Sequence, residues 1–223
     1  MDLRVKGLYD LQTFNLFKSQ QVKSFGFDLV PLSFNFIQCY QLVNILQKES
    51  DKNDLIYLQF KDDKDFVIKS ILDEVQYVRS KLNNVFLEFK KMRDVEFMEK
   101  FQIDYVVHIS SMSELKELLK AQKLKGISLD KYFLDRLQMQ NAFGEFFDFL
   151  EDFEKRMSKQ RSQPILIELN SNWNDSLEHS IYDFFNINQV CLEINSQVEE
   201  DYRQVNAPKV ISLLNSFQKN QLL

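Results

Sequence analysis

Among 223 residues there are only four glycines, three prolines, two cysteines, two histidines and one tryptophan. Each shortage excludes something. Cys39 and Cys191 are too few for a disulfide framework and read as small apolar fillers. The N-terminal MDLRVKG lacks the basic-then-apolar layout of a secretory signal, so the expected compartment is reducing and cytoplasmic. The four glycines, Gly7, Gly26, Gly126 and Gly144, leave little material for a phosphate cradle, which needs close backbone approach. No apolar stretch nears the roughly 20 residues of a membrane helix, so no membrane partner is expected. Positive charge is scarce too: 28 Lys and Arg against 33 Asp and Glu give a net charge of −5 and no footprint for nucleic acid. No ligand spacing supports a metal site, and no cofactor is expected. Linkers and low-complexity segments are absent, so residues 1–223 read as one domain.

What the sequence has is a rhythm. Eight short apolar runs, at 3–5, 24–30, 55–60, 85–89, 105–109, 127–129, 165–169 and 190–194, are each followed by a helix-patterned stretch. Strand-then-helix alternation predicts a parallel sheet, because parallel neighbours need a crossover covering the sheet face. Eight such units in a chain near the roughly 250 residues typical of the fold predict a closed (β/α)8 TIM barrel, α/β in class. Asp10 is placed to cap a helix carrying Leu11, Phe14 and Phe17. Residues 37–46 put Tyr40, Val43 and Leu46 on one face, and residues 65–82 put Val67, Ile71, Val75 and Val78 on another. Residues 112–121 open with Ser113 and return Leu115, Leu118 and Leu119. The gap 131–163 carries a stripe of Phe143, Phe146, Phe147, Leu150 and Phe153, read as a barrel-facing helix. Residues 175–185 and 208–217 supply the last two helices.

Several stretches fall in the order of a known family. Arg4-Val5-Lys6-Gly7-Leu8-Tyr9-Asp10 resembles the strand-1 motif K-[IV]-C-G-[IL]-T of the phosphoribosylanthranilate isomerases of tryptophan biosynthesis. Residues 24–37, SFGFDLVPLSFNFI, follow that family's G-F-x-F-x-P-K-S-x-R-x-[IV] without a gap. Ile127-Ser128-Leu129-Asp130 resembles its strand-6 L-L-D, and Gly144-Glu145-Phe146-Phe147-Asp148-Phe149 its G-x-x-F-D-W. Residues 192–199, LEINSQVE, resemble V-D-V-S-S-G-V-E. The resemblance implies a barrel isomerase whose general acid is Asp130. It also locates departures. Lys6 stands where the family has its general-base cysteine, and Asn35 where an arginine grips the anthranilate carboxylate. Leu32 replaces the lysine of P-K-S, and Glu88 a strand-4 histidine. The strand-7 glycine pair falls on Asn170 and Ser171, and S-S-G becomes Asn195-Ser196-Gln197. The G-G-[ST]-G loop after Asp130 is missing, and residues 134–142 read as helix.

Active sites on this barrel sit at the C-terminal strand ends. Those positions hold Lys6, Asp28, Glu88, Asp130, Glu168 and Glu193, which should gather at one rim. Two readings are open for them: Lys6 and Asp130 as an acid–base pair on another sugar or carbonyl substrate, or an ion-pair network plugging the pocket. Asn35, Asn170, Ser171, Asn195, Ser196, Glu88 and Glu193 are the candidate ligand-binding residues. His108 reads as a core histidine and His179 as a surface one. Trp173, past strand 7, is placed either to stack on a planar ligand or to cover the barrel mouth. The expected function is a divergent barrel whose isomerase activity is lost or altered. The alternatives are an active isomerase using Lys6 and Asp130, and a non-catalytic scaffold for a protein partner of unknown identity. A small-molecule ligand, if bound, is expected at the C-terminal face of the barrel.

Overall fold

Branched and aromatic residues in runs of five to seven build eight parallel strands, which close in chain order. The computed structural model describes residues 2–79, 82–160, 164–174 and 185–220. The strands are β1 (Asp2–Lys6), β2 (Ser24–Asp28), β3 (Leu55–Phe60), β4 (Val85–Phe89), β5 (Tyr105–Ile109), β6 (Leu124–Asp130), β7 (Leu166–Ser171) and β8 (Gln189–Glu193). Strand β8 pairs back onto β1, with Lys6 opposite Glu193 on that side and opposite Gly26 on the other.

Helices follow the strands as α1 (Leu11–Ser19), α2 (Cys39–Lys48), α3 (Asp65–Val78), α4 (Val95–Glu99), α5 (Met112–Leu118), α6 (Lys131–Met139), α7 (Phe143–Gln160) and, after the last strand, α8 (Ala207–Asn220). A short hairpin, β9 (Glu199–Asp201) with β10 (Gln204–Val205), links β8 to α8. The helix expected over 175–185 falls, apart from Phe185, outside the described residues, as does His179.

Asp10 caps α1 as expected, accepting from the Thr13 N–H at 2.7 Å. Two helix faces depart from the sequence reading. Helix α2 buries Leu42, Ile45 and Leu46 and leaves Tyr40 68% exposed, and α3 buries Ile68, Leu72 and Val75 rather than centring on Val67 and Ile71. Adjacent stripes at three- and four-residue spacing differ by one 100° step, and the strand-to-helix turn decides between them. For α2 that turn is pinned by the Ile37 N–H donating to the Asp28 carbonyl at 2.9 Å. Helix α5 starts from Ser111 rather than Ser113, because Glu114 reaches back to the Ser111 N–H at 3.1 Å. The stretch 131–163 contains two helices, α6 and α7, separated by Asn141 in the left-handed region at φ 54°. In α7, Phe146, Leu150, Phe153 and Met157 face the core.

Most of the apolar core lies between helices and barrel. Among the described residues, Tyr57, Phe86 and Val106, flanked by Leu55 and Leu166, form a separate apolar cluster that serves as the floor of the barrel interior. Above it the interior is polar. Gly26 makes room for that layer: a Cβ there would lie 2.6 Å from the Lys6 Cβ and 3.4 Å from an Arg4 guanidinium nitrogen. Gly26→Ala is therefore expected to destabilise the protein by about 1–3 kcal/mol through overpacking, read as a lower denaturation midpoint. An unchanged midpoint would show that β1 and β2 part without cost.

Candidate functional site

Side chains two residues apart on a strand point the same way, so Arg4 and Lys6 both project into the barrel. Arg4 lies over the Tyr57 ring, 3.9 Å from its centroid, and is fully buried. It donates to Glu88 on β4 and, at 2.9 Å, to Glu168 on β7; both carboxylates are fully buried. Glu88 also holds His108 on β5, with Oε1 2.5 Å from Nε2. The Ser128 hydroxyl donates to Glu168 at 2.8 Å, and the Asn170 amide donates to Ser128 at 2.6 Å. Lys6 donates to Asn170 Oδ1 at 2.8 Å and lies 3.6 Å from the Glu193 carboxylate. One connected polar network thus joins β1, β4, β5, β6, β7 and β8.

Burial alone would push the Glu88 carboxyl up, but Arg4 and then His108 hold it well below the usual carboxylate range. Burial would likewise pull the Lys6 ammonium down. The carboxylates of Glu193 and Glu88 outweigh it and hold Lys6 above the lysine range. Cys191, fully buried, is itself pushed up by burial and stays a neutral thiol at pH 7. The network therefore has a two-sided signature. The stabilisation from Glu88 is present above its ordinary value of 4.5 and is lost as pH falls through its lower folded value. The stabilisation from Lys6 is complete below its ordinary value of 10.5 and is lost as pH rises through its higher folded value. Denaturation midpoints measured across pH should fall on both flanks of that window. Glu88→Gln should flatten the acid flank, and an unaltered flank would contradict the assignment.

Above the network a cavity of about 550 Å³ opens at the C-terminal ends of the strands. Lys6, Asp130, Asn170, Ser171, Glu193 and Asn195 line it, joined by His108, Lys90, Cys191 and the start of α6. Of the residues expected at the rim, Glu88 and Glu168 sit one layer lower, closed off from solvent. Asp28 is buried beside the mouth, where Lys90 and Ser33 donate to its carboxylate at 3.0 and 2.8 Å. Asp130 is exposed and caps α6, accepting from the Tyr132 N–H at 2.8 Å. Asn35 lies outside the lining: its amide donates to the Ile194 carbonyl at 2.7 Å and packs against Gly7. Gly7, at φ 82°, has no room for a side chain, since a Cβ would lie 2.4 Å from the Asn35 amide nitrogen. Ser196 and Leu32 are exposed and away from the cavity, Leu32 at φ 67°. Trp173 neither lines the cavity nor stands over it but packs in the apolar core. Its indole N–H donates to the Glu193 carbonyl at 2.7 Å, and its ring stacks on Phe17 with centroids 6.0 Å apart.

Two participants escaped the sequence reading. His108 is not a core histidine but a half-buried cavity residue on a buried carboxylate. Arg4, the hub of the network, went unremarked, although its two-residue spacing from Lys6 was the available signal.

Four backbone donors around the β7 and β8 ends are already used. Asn195 Oδ1 accepts from the Gln197 N–H at 2.9 Å, and its carbonyl accepts from the Val198 and Glu199 N–H groups. Gln197 Oε1 in turn accepts from the Trp173 N–H at 3.2 Å. A phosphate would have to displace these side chains to reach the amides. Calorimetric titration with inorganic phosphate is expected to show nothing tighter than millimolar, about −4 kcal/mol, and micromolar affinity would overturn this. Among the described residues no three His, Cys, Asp or Glu side chains gather as a metal site, and no helix is long and apolar enough to cross a membrane.

No family model matches the chain, and no curated protein matches it. Solved structures do. The phosphoribosylanthranilate isomerase of Thermotoga maritima aligns with a TM-score of 0.67 and 16% identity, over 98% of this chain and 99% of that one. A phosphoribosylanthranilate isomerase in complex with reduced 1-(o-carboxyphenylamino)-1-deoxyribulose 5-phosphate aligns at 0.64 and 16%, over 96% and 97%. The Thermus thermophilus isomerase aligns at 0.62 and 13%, over 97% and 100%. At these identities the likeness is one of fold.

Proposed function

We propose that this chain is a divergent phosphoribosylanthranilate isomerase-like barrel that takes a small polar ligand at its strand ends and has lost or altered the parental isomerisation. The state of Lys6 carries this reading. It stands where the resembled family has its general base, and an ammonium held by Asn170 and Glu193 has no lone pair with which to accept a proton. The other anchors support it. Asn35, at the position of the carboxylate-gripping arginine, is committed to the Ile194 carbonyl and lacks the charge of a bidentate clamp. Asp130 keeps a carboxylate at the cavity edge and is the candidate acid. Asn170, Ser171, Asn195 and Glu193 present amide, hydroxyl and carboxylate partners suited to ligand hydroxyls. Glu88 acts on a ligand only through His108, and Ser196 only if its turn moves.

The test is complementation of a strain lacking the isomerase on medium without tryptophan. The native chain is expected not to support growth. Growth that is abolished by Asp130→Ala would overturn the proposal in favour of a lysine-dependent isomerase.

A further inference from the structure

The cavity contains an acid–base group that neither the resemblance nor the strand-end carboxylates assign. We infer that His108, oriented by Glu88, is a general base at this cavity, and that with Lys6 it serves proton transfer beside the carbonyl of a small hydroxycarbonyl compound without a phosphate. The inference rests on the proposed function above, that the site takes a polar ligand and has lost its phosphate anchor.

The geometry begins with Glu88. Its carboxylate is fully buried, held ionised by Arg4, and accepts from His108 at 2.5 Å. An ionised carboxylate only accepts, so the proton on that side sits on His108 Nε2, which leaves Nδ1 as the nitrogen that exchanges a proton with a ligand. This is the arrangement by which a buried carboxylate fixes the tautomer and ring orientation of a catalytic imidazole and stabilises the imidazolium it becomes. His108 is half-buried and lines the cavity, where a ligand can reach it. Lys6 lines the same cavity as a cation held between Asn170 and Glu193. The Cys191 thiol also borders the cavity, but burial keeps it protonated, which removes a thiolate nucleophile. A positioned base beside a fixed cation is suited to enolisation, in which charge develops on the carbonyl oxygen.

The step balances without a co-reactant. Nδ1 takes the proton from the carbon next to the carbonyl, the C–H pair becomes the new C=C bond, and the carbonyl π pair moves to oxygen, where Lys6 stabilises it. The imidazolium returns the proton to the same carbon, giving exchange with solvent. Alternatively it returns the proton to the former carbonyl carbon while the hydroxyl proton shifts to the other oxygen, which interconverts aldose and ketose. Asn170, Ser171 and Asn195 on the cavity wall supply partners for the flanking hydroxyls.

The experiment follows hydrogen–deuterium exchange at carbon in D2O by NMR, with dihydroxyacetone and D-ribulose as probes and D-ribulose 5-phosphate alongside. The native chain is expected to speed exchange of the unphosphorylated probes at least 10²-fold over buffer. His108→Ala should return it to background, and added imidazole should restore it, which a purely structural role would not allow. Glu88→Gln, checked for folding by circular dichroism, should lower kcat more than it raises KM. Should Glu88→Gln not fold, His108→Ala with imidazole rescue decides alone. No exchange on either unphosphorylated probe, or exchange unchanged in His108→Ala, would overturn the inference and leave the proposed function standing. Strong preference for the 5-phosphate would overturn the proposed function itself.

Discussion

Arg4→Met is expected to destabilise the protein by about 3–5 kcal/mol, the usual cost of removing one partner from a buried ion pair. The substitution preserves most of the side-chain volume and the contact with Tyr57, so the loss is electrostatic rather than a cavity. It strands Glu88 and Glu168, both fully buried, leaving His108 on the first and Ser128 on the second. A chain of this length should lose on the order of 10 °C in Tm. Adding Glu88→Gln and Glu168→Gln to Arg4→Met should recover part of that loss, because two neutral amides need less compensation than two carboxylates. Urea titration of the three variants decides the matter. A single variant within 1 kcal/mol of the native chain would mean that the carboxylates find water or protons at little cost, and the hub role assigned to Arg4 would fall.

The second large effect is on rate. If the proposed divergence is right, turnover of N-(5-phosphoribosyl)anthranilate should be at least 10²–10⁴-fold below that of a working isomerase, the share that a general base commonly contributes. Weak anchoring at both substrate ends lowers it further, because misplaced reacting atoms lose the advantage of orientation. Lys6→Cys tests the first loss by itself. It restores the residue type of the resembled motif, but the new thiol would sit between Asn170 and Glu193, whose negative charge opposes the thiolate. A small gain in kcat with KM unchanged is therefore the expected outcome. Native turnover within tenfold of a working isomerase would overturn the reading of Lys6, and Asp130→Ala would then show whether the acid is shared with the resembled family.

The sequence by itself determined the architecture. Eight branched runs with helical spacing between them admit few topologies, since parallel strands need covering crossovers and eight units suffice to close the sheet. Strands β3, β4 and β5 lie where the pattern puts them, and Asp10 caps α1 because an N-cap is a local interaction within four residues. The faces of α2 and α3 were legible only to within one 100° step, because docking against the barrel selects among neighbouring stripes. The site was legible as a set of charged strand ends but not as a network. Arg4 meets Glu88 across 84 positions of sequence and Glu168 across 164, and Lys6 meets Asn170 across another 164. No local period encodes such pairs. His108 shows the same limit: beside apolar neighbours it reads as core, and only the pairing of β4 with β5 sets it on Glu88 at the cavity wall. Which charges are buried, and which of them face a ligand, was decided by barrel closure, because desolvation and pairing depend on neighbours that are distant in sequence and adjacent in space.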